Sequence, residues 1–438
     1  MTKPNHSADR RYAAIKATGV ALLLILIVAI LLLLSIIIPM RVLLWILVGV
    51  AIVFLLFVAV GTIIPFHPDK IISEQAGEVI DDLDKRLLEL ALNEELTQAD
   101  LDAFTKDWDI EKAPIRSVLL MAYLMKTRPD LCFPAAIVPR LNGVLSFCRF
   151  QNLKREAHFS KVGNAFRQAG IPLAILKGGA MKVYRPDFPR WMNDIDMLVP
   201  SDMYERAVEI AMALGYDKPM ATGHSVDLHL PGSDEGLMDI HKHLEMFTGS
   251  EETLNDGLFS RAKLTDIFST KGYLPSPEDM VFISLVNLYK NLSKNQTLES
   301  SLTTFYDIKF LLSCEKDVDF SVIKENARMT GGEFQVLYAS KLIDSVVPGL
   351  IPESFVQSIE LPDKEFRSQF IDFLFRRDVL SSARDAVKET KVGESLQKDW
   401  NPLVYMWVAL VEGVKIFFAS PVLKYPVWRL CRAFRKNR

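Results

Sequence analysis

Two long apolar runs without a charged residue open the chain. Gly19 to Ile38 is dominated by Leu and Ile, Pro39-Met40-Arg41 interrupts it, and Val42 to Phe66 resumes the pattern. Each run is long enough to cross the hydrocarbon core of a bilayer. Each is also too long for a secretory leader and lacks a small-residue cleavage site. The pattern predicts a two-helix transmembrane hairpin over residues 19–66. Lys3, Arg10, Arg11 and Lys16 precede it, Lys70, Lys85 and Arg86 follow it, and Arg41 lies in the turn. That bias places both ends of the hairpin in the cytoplasm.

Beyond the hairpin the apolar spacing turns helical from about Ile71 to Lys161. Leu83, Leu87, Leu88 and Leu90 mark one helix over Asp81–Leu92, and Thr97-Gln98-Ala99-Asp100 reads as the start of another. Ser117–Lys126 and Val144–Val162 continue the pattern. The character then changes. Ile171–Leu176 reads as a short strand, Ala180–Tyr184 as one or two helical turns, and Asp194–Val199 as a strand closed by Pro200. Ser201 caps a helix that runs to about Leu214 and stops at Gly215. Val226–Leu230 alternates as a strand, Pro231-Gly232-Ser233-Asp234 turns, and Leu237–Leu244 forms the next strand. This order predicts an α+β fold: a small mixed sheet flanked by helical segments.

Helical periodicity returns at Ser276-Pro277-Glu278-Asp279, a helix opening with Pro at the first position and acids beside it. Further helices are expected near 302–312, 320–327 and 334–346. Pro402–Ala419 is apolar but contains Glu412 and Lys415, and a basic tail follows, with Lys424, Arg429, Arg432, Arg435, Lys436 and Arg438. A third span would bury both charges and export the tail. The segment therefore reads as an interfacial amphipathic helix on anionic lipid. A helix packed in a soluble domain is the other reading.

Composition narrows the picture only a little. A chain of 438 residues has room for two or three units. Its net charge of −3 gives no global signature of nucleic-acid binding. Cys132, Cys148, Cys314 and Cys431 are scattered, without the pairing of a zinc site or a disulfide framework.

The candidate chemistry lies in the strand-rich part. Lys177-Gly178-Gly179-Ala180 follows an apolar strand, and a Gly-Gly turn there lets backbone N–H groups approach a phosphate. Asp194 and Asp196 stand two apart in a predicted strand and so share a face. Asp239, in Gly236-Leu237-Met238-Asp239-Ile240-His241, offers a third carboxylate from another strand. Crowded carboxylates repel, and a divalent cation relieves the cost. Three acids can hold Mg²⁺ (or Mn²⁺) across a nucleoside triphosphate. His241 shares the face of Asp239 and is an auxiliary candidate or a structural histidine. His224, His229 and His243 are separated by strand alternation and are set aside as ligands.

Lys177-Gly178-Gly179-Ala180, Tyr184, Arg190, Asp194-Ile195-Asp196 and Asp239-Ile240-His241 together resemble the DNA polymerase β-like nucleotidyltransferase superfamily. More narrowly, they resemble a bacterial group of uncharacterised nucleotidyltransferases. The resemblance spans roughly residues 161–346, including Pro277-Glu278-Asp279 and Asp307-Ile308-Lys309. It implies Asp194, Asp196 and Asp239 as catalytic metal ligands, Asp239 serving as ligand or as general base. Lys177, Gly178, Gly179 and Arg190 then bind nucleotide. Arg190 has a salt bridge to one of the acids as its alternative. The superfamily often carries Ser where Gly179 stands, so backbone N–H groups must hold the phosphate here.

The expected organisation is a basic N-terminus (1–18), the hairpin (19–66), a helical segment (67–160), the nucleotidyltransferase core (161–270), a helical domain (271–395) and the amphipathic basic end (396–438). The expected protein is a multi-pass enzyme of the bacterial inner membrane with cytoplasmic soluble domains. It moves a nucleoside monophosphate from a triphosphate to an acceptor and releases pyrophosphate. Its partners are membrane lipid, the nucleoside triphosphate and an unidentified acceptor: a protein, a small molecule, a lipid-linked sugar or RNA. The competing expectation is a catalytically degenerate sensor or scaffold of the same fold.

Overall fold

The computed structural model describes residues 67–375, apart from 218–224, 234–235, 245–250, 294–298 and 315–317, together with Val48 and Gly49. Apart from those two residues, which are helical, the predicted hairpin lies outside the described residues, as does the whole 396–438 segment. Among the described residues no helix is long and apolar enough to cross a membrane.

Residues 69–292 and 296–361 form one compact unit. It opens with α1 (Pro68–Val79), α2 (Asp82–Leu92), α3 (Gln98–Asp107) and α4 (Ile115–Thr127). Local chemistry fixes their ends. Asp81 caps α2 by accepting from the Asp84 amide at 2.7 Å. Thr97 and Asp100 form the reciprocal capping box at the head of α3. The 31-residue α5 (Val138–Gln168) follows, a rod about 46 Å long. It starts earlier and ends later than its apolar periodicity suggests, because its burial switches partners along its length.

The sheet has six strands in the order β3-β4-β2-β1-β6-β5. They are β1 (Ala174–Ile175), β2 (Ile195–Leu198), β3 (Ser225–His229), β4 (Gly236–His241), β5 (Lys263–Ile267) and β6 (Thr270–Leu274). β1 runs antiparallel to β2 and parallel to β6, β2 runs parallel to β4, and the β3–β4 and β5–β6 pairs are antiparallel. The sheet is mixed, as the order of elements requires. Helices α6 (Lys177–Tyr184), α7 (Tyr204–Ala213) and α8 (Glu251–Arg261) lie between strands in the chain.

The β5–β6 hairpin and α8 carry no clear sequence signal. β5 is mostly exposed, so its alternation is weak. Its two-residue turn places Phe268 at φ 53°, where glycine or asparagine is usual. The Phe268 ring packs edge-on against Phe159 of α5 at 5.6 Å, which holds the residue there.

The unit closes with α9 (Pro277–Ser293), α10 (Glu299–Cys314), α11 (Phe320–Thr330), α12 (Glu333–Val346) and α13 (Glu353–Ser358). Asp279 in the first turn of α9 is buried, paired with Arg261 and bonded by Asn326 Nδ2 at 2.9 Å. Separately, α14 (Asp363–Phe375) carries Phe366, Phe370 and Phe373 in ring contact along one side. The sequence-derived boundary at 160 falls inside α5 and the one at 270 at the start of β6.

Candidate active site

Strand register builds the site. In the parallel β2–β4 pair Asp196 stands opposite Asp239, and Leu198 opposite His241. In the antiparallel β3–β4 pair Asp227 stands opposite Asp239, and Ser225 opposite His241. Cross-strand partners share a face. Asp196, Asp239 and Asp227 therefore form a row across three strands, with His241 one rung further along.

The side chains converge. His241 Nε2 lies 2.8 Å from Asp196 Oδ1 and 3.1 Å from Asp239 Oδ2. One ligand atom from each of Asp196, Asp239 and His241 falls within 4.8 Å of the other two. Lys177 forms an ion pair with the same Asp196 oxygen. These contacts reveal two roles for the carboxylates. Burial works against ionisation of Asp196, but Lys177 and His241 outweigh it and hold the carboxyl well below the usual range. Asp194 has the opposite fate. Burial, with Asp196 as the chief like charge, pushes it up to about 7.

Asp194 is not in the tight group. It sits in a bend one residue before β2 begins, and its carboxyl still feels the charges of Asp196, Lys177, Asp239 and Asp227. His241 takes its place beside Asp196 and Asp239. The site residue that the sequence did not single out is Asp227. Its carboxyl is raised by burial first and by Asp239 next. The available signal was a repeated Asp-x-His string, Asp227-Leu228-His229 and Asp239-Ile240-His241, on two adjacent alternating strands. His229 faces Gly236 across the strands, and His224 lies outside the described residues.

The glycine motif is not a loop. Gly178 and Gly179 occupy the first turn of α6, and Lys177 ahead of them holds the left-handed backbone at φ 47°. Such a conformation costs a non-glycine residue about 1–3 kcal/mol. The Lys177–Asp196 ion pair and the bond from Leu176 N to Asp196 O at 2.9 Å keep it in place. A Cβ on Gly179 would meet Ile175 Cδ1 at 2.8 Å and Ile195 Cγ2 at 3.0 Å. Gly179 thus lets α6 lie close on β1 and β2. No side chain caps α6, so its first amides lack both an intrahelical acceptor and a capping one.

Arg190 pairs with Asp307 of α10 at 3.0 Å. Burial raises Asp307 to about 6, against the pull of Arg190, Arg185 and Arg116. The Nε and Nη1 atoms of Arg190 are buried without a hydrogen-bond partner. Arg190 Nε also lies 3.6 Å from where a Cβ on Gly178 would stand. Two unsatisfied cationic donors thus lie beside the head of α6.

The donor set fits a divalent cation. Asp239 Oδ1 is buried with no hydrogen-bond partner, next to the Asp196 carboxylate, and clustered carboxylate oxygens suit Mg²⁺ or Mn²⁺.

A mixed sheet that carries acids on adjacent strands, with a glycine-headed helix packed beside them, defines a nucleotidyltransferase-type core. A family described as "Uncharacterised nucleotidyltransferase" matches residues 117–348. The chain belongs to that family, and its activity class is nucleotidyl transfer. A search of curated proteins finds no match. Among solved structures, the chain is similar to an antigenic nucleotidyltransferase-like protein from Paracoccidioides brasiliensis. That match has 14% identity and a TM-score of 0.31, covering 48% of this chain and 96% of the other. It is also similar to the antibiotic-resistance factor ANT(2'')-Ia, again at 14% identity. There the TM-score is 0.24, covering 44% of this chain and 91% of the other.

Proposed function

We propose that the protein is a membrane-anchored cytoplasmic nucleotidyltransferase. It transfers a nucleoside monophosphate from a nucleoside triphosphate to a hydroxyl or phosphate oxygen of its acceptor. The observation that carries this reading is the convergence of Asp196, Asp239 and His241 within 4.8 Å in a chain of this family.

Asp196 and Asp239 would hold the divalent ion, with Asp194 joining them once a cation offsets the repulsion that now raises it. A bound divalent ion supplies charge neutralisation for the triphosphate and for the pyrophosphate leaving group. The protein's own groups do the rest. The first amides of α6, with Lys177 and the two unpartnered Arg190 nitrogens, grip phosphate oxygens. Asp239 accepts the proton of the attacking hydroxyl. The acceptor oxygen bonds to the α-phosphorus, the bridging bond to the β-phosphate breaks, and pyrophosphate leaves. His241 holds Asp196 and Asp239 in register.

Anchoring rests on the apolar runs of 19–66 and on the Lys and Arg bias around them. Reporters fused at the N-terminus and after Arg438 should both read out cytoplasm. An external C-terminal reporter would contradict the two-span reading.

A binding-only protein of the same fold has one observation in its favour. Lys177 already neutralises Asp196, so the site is partly satisfied by its own residues. Titration calorimetry of the full chain in detergent, with each of ATP, CTP, GTP and UTP, tests the alternatives. Metal-dependent binding followed by pyrophosphate release supports the enzyme. Binding without release in a lysate supplying acceptors supports the sensor. Labelled triphosphates in the same lysate identify the acceptor.

A further inference from the structure

The connection from α6 to β2 carries two arginines, and α10 holds both. Arg185, at the end of α6, lies over the rings of Tyr123, Phe188, Tyr306 and Phe310, with Phe310 nearest at 4.4 Å. Arg190 Nη2 lies 3.0 Å from Asp307 Oδ2. Tyr306, Asp307 and Phe310 fall within about one turn of α10, so one patch of that helix grips both arginines. The main chain at Arg190 is held separately. Its amide donates to Phe188 O at 2.8 Å, and its carbonyl accepts from Asn152 Nδ2 of α5 at 2.7 Å.

A guanidinium is a rigid planar fork, so tying one nitrogen to a carboxylate sets where the other two point. For Arg190 that tie is Nη2 to Asp307, which is itself only 4% exposed. Burial opposes the Asp307 charge, while Arg190, Arg185 and Arg116 support it. Nε and Nη1 of Arg190 are buried with no hydrogen-bond partner. Nε lies 3.6 Å from the Cβ position of Gly178, in the first turn of α6. Charged donors left buried and unsatisfied are costly, whereas an anion placed there accepts charge-assisted hydrogen bonds from them. The uncapped amides at the head of α6 offer further donors to the same anion.

We infer that Asp307 is the positioning residue for Arg190, holding the guanidinium so that Nε and Nη1 meet the triphosphate at the head of α6. The inference rests on the reading of the chain as a nucleotidyltransferase. It adds a residue outside the sheet on which triphosphate binding depends and which acts only through Arg190.

The test is a double-variant cycle on the full chain in detergent. It is read by isothermal titration with Mg²⁺ and whichever of ATP, CTP, GTP and UTP binds wild type most tightly. Asp307→Asn should weaken binding about tenfold, the scale of one misplaced charge-assisted hydrogen bond. Asp307→Glu restores the carboxylate and should recover affinity to within about threefold of wild type. Arg190→Gln should weaken binding at least as much as Asp307→Asn. Arg190→Gln/Asp307→Asn should then be no weaker than Arg190→Gln alone, because the two residues act as one unit. The double variant removes both charges of the pair and so avoids the cost of stranding one of them. Where Asp307→Asn fails to fold, comparing the double variant with Arg190→Gln still decides. Unchanged affinity in Asp307→Asn overturns the inference, and so does tighter binding, which would make Asp307 a competitor of the phosphates. A further loss in the double variant, beyond that of Arg190→Gln, overturns it as well. Wild type that binds none of the four triphosphates with Mg²⁺ overturns nucleotidyl transfer itself, and this role with it.

Discussion

Asp196 and Asp239 face each other directly across the parallel β2–β4 pair, and one imidazole nitrogen of His241 lies within 3.1 Å of both carboxylates. This arrangement separates the effects of substitutions that look alike in sequence. Asp239→Asn should remove a cation ligand together with the proton acceptor. Loss of a general base alone costs about 10²–10⁴ in rate, and loss of the ion adds to it. His241→Ala should cost less, because the histidine orients the acids. Single-turnover rates at saturating Mg²⁺ measure the order. A histidine variant that is the more damaged would place the chemistry on the imidazole.

Asp194 and Asp196 should part company in stability measured with a chelator present. Asp196 is buried against Lys177 and His241, so Asp196→Asn strands the buried His241 and the partly exposed Lys177, at a cost on the order of 3 kcal/mol. Asp194 carries a charge that its surroundings disfavour, so Asp194→Asn should leave the melting temperature level or raise it. Calorimetry of the two variants decides. Equal destabilisation would show that both acids rest on the same support.

The same contrast has a pH signature. In the fold burial, with the Asp196 charge beside it, pushes the Asp194 carboxyl up to about 7, above the ordinary aspartate value of about 3.9. Between those values the folded protein binds more protons than the unfolded chain, so stability falls as pH rises. The contribution is fully present below about pH 4 and is lost as pH passes 7. Metal-free wild type should therefore lose stability relative to Asp194→Asn across that window. Saturating Mg²⁺ should erase the difference by favouring the charged carboxylate. Denaturant midpoints at several pH values provide the test, and parallel profiles would contradict it.

Gly179→Ser puts a side chain where Ile175 and Ile195 already stand. Overpacking of this kind costs about 1–3 kcal/mol. The variant should melt lower even without nucleotide. A rise in triphosphate affinity with an unchanged melting temperature would mean that the hydroxyl is accommodated after all.

Cys148 is buried in α5, and burial pushes its thiol up to about 11. Cys132 is exposed. A thiolate-selective reagent at neutral pH should label Cys132 at least tenfold faster than Cys148, as read by peptide mass spectrometry. Rapid labelling of both would mean that α5 opens readily.

The sequence resolved parts of this site and missed others for identifiable reasons. Alternation in Gly236–His241 correctly put Asp239 and His241 on one face, because β4 is regular over its whole length. For Asp194 the expected strand is one residue too long: β2 begins at Ile195, though the carboxyl still feels Asp196, Asp239 and Lys177. The Gly-Gly pair suggested an open turn because glycine so often supplies positive φ. The left-handed residue is Lys177, and Gly179 serves close packing. Arg190 was legible as a cation near the site, but its partner lies more than a hundred residues away on α10, a distance that local patterns do not encode. Asp227 lies in an alternating strand that is legible in the sequence, but its place beside Asp239 appears only once β3 is aligned with β4.

Asp194 owes its position to a different support from the other acids. Asn152 Nδ2 donates to Arg190 O at 2.7 Å and Arg155 Nε donates to Asn193 O at 2.7 Å, so two side chains of α5 hold the main chain that ends at Asp194. Asp196 and Asp239 are instead fixed to each other by the sheet. The sheet fixes the spacing of that pair, while the approach of Asp194, one residue outside β2, depends also on these two α5 contacts. Ion affinity at this centre would then act as a gauge of helix position: a small slide of one long rod would loosen or tighten the third carboxylate without disturbing the other two.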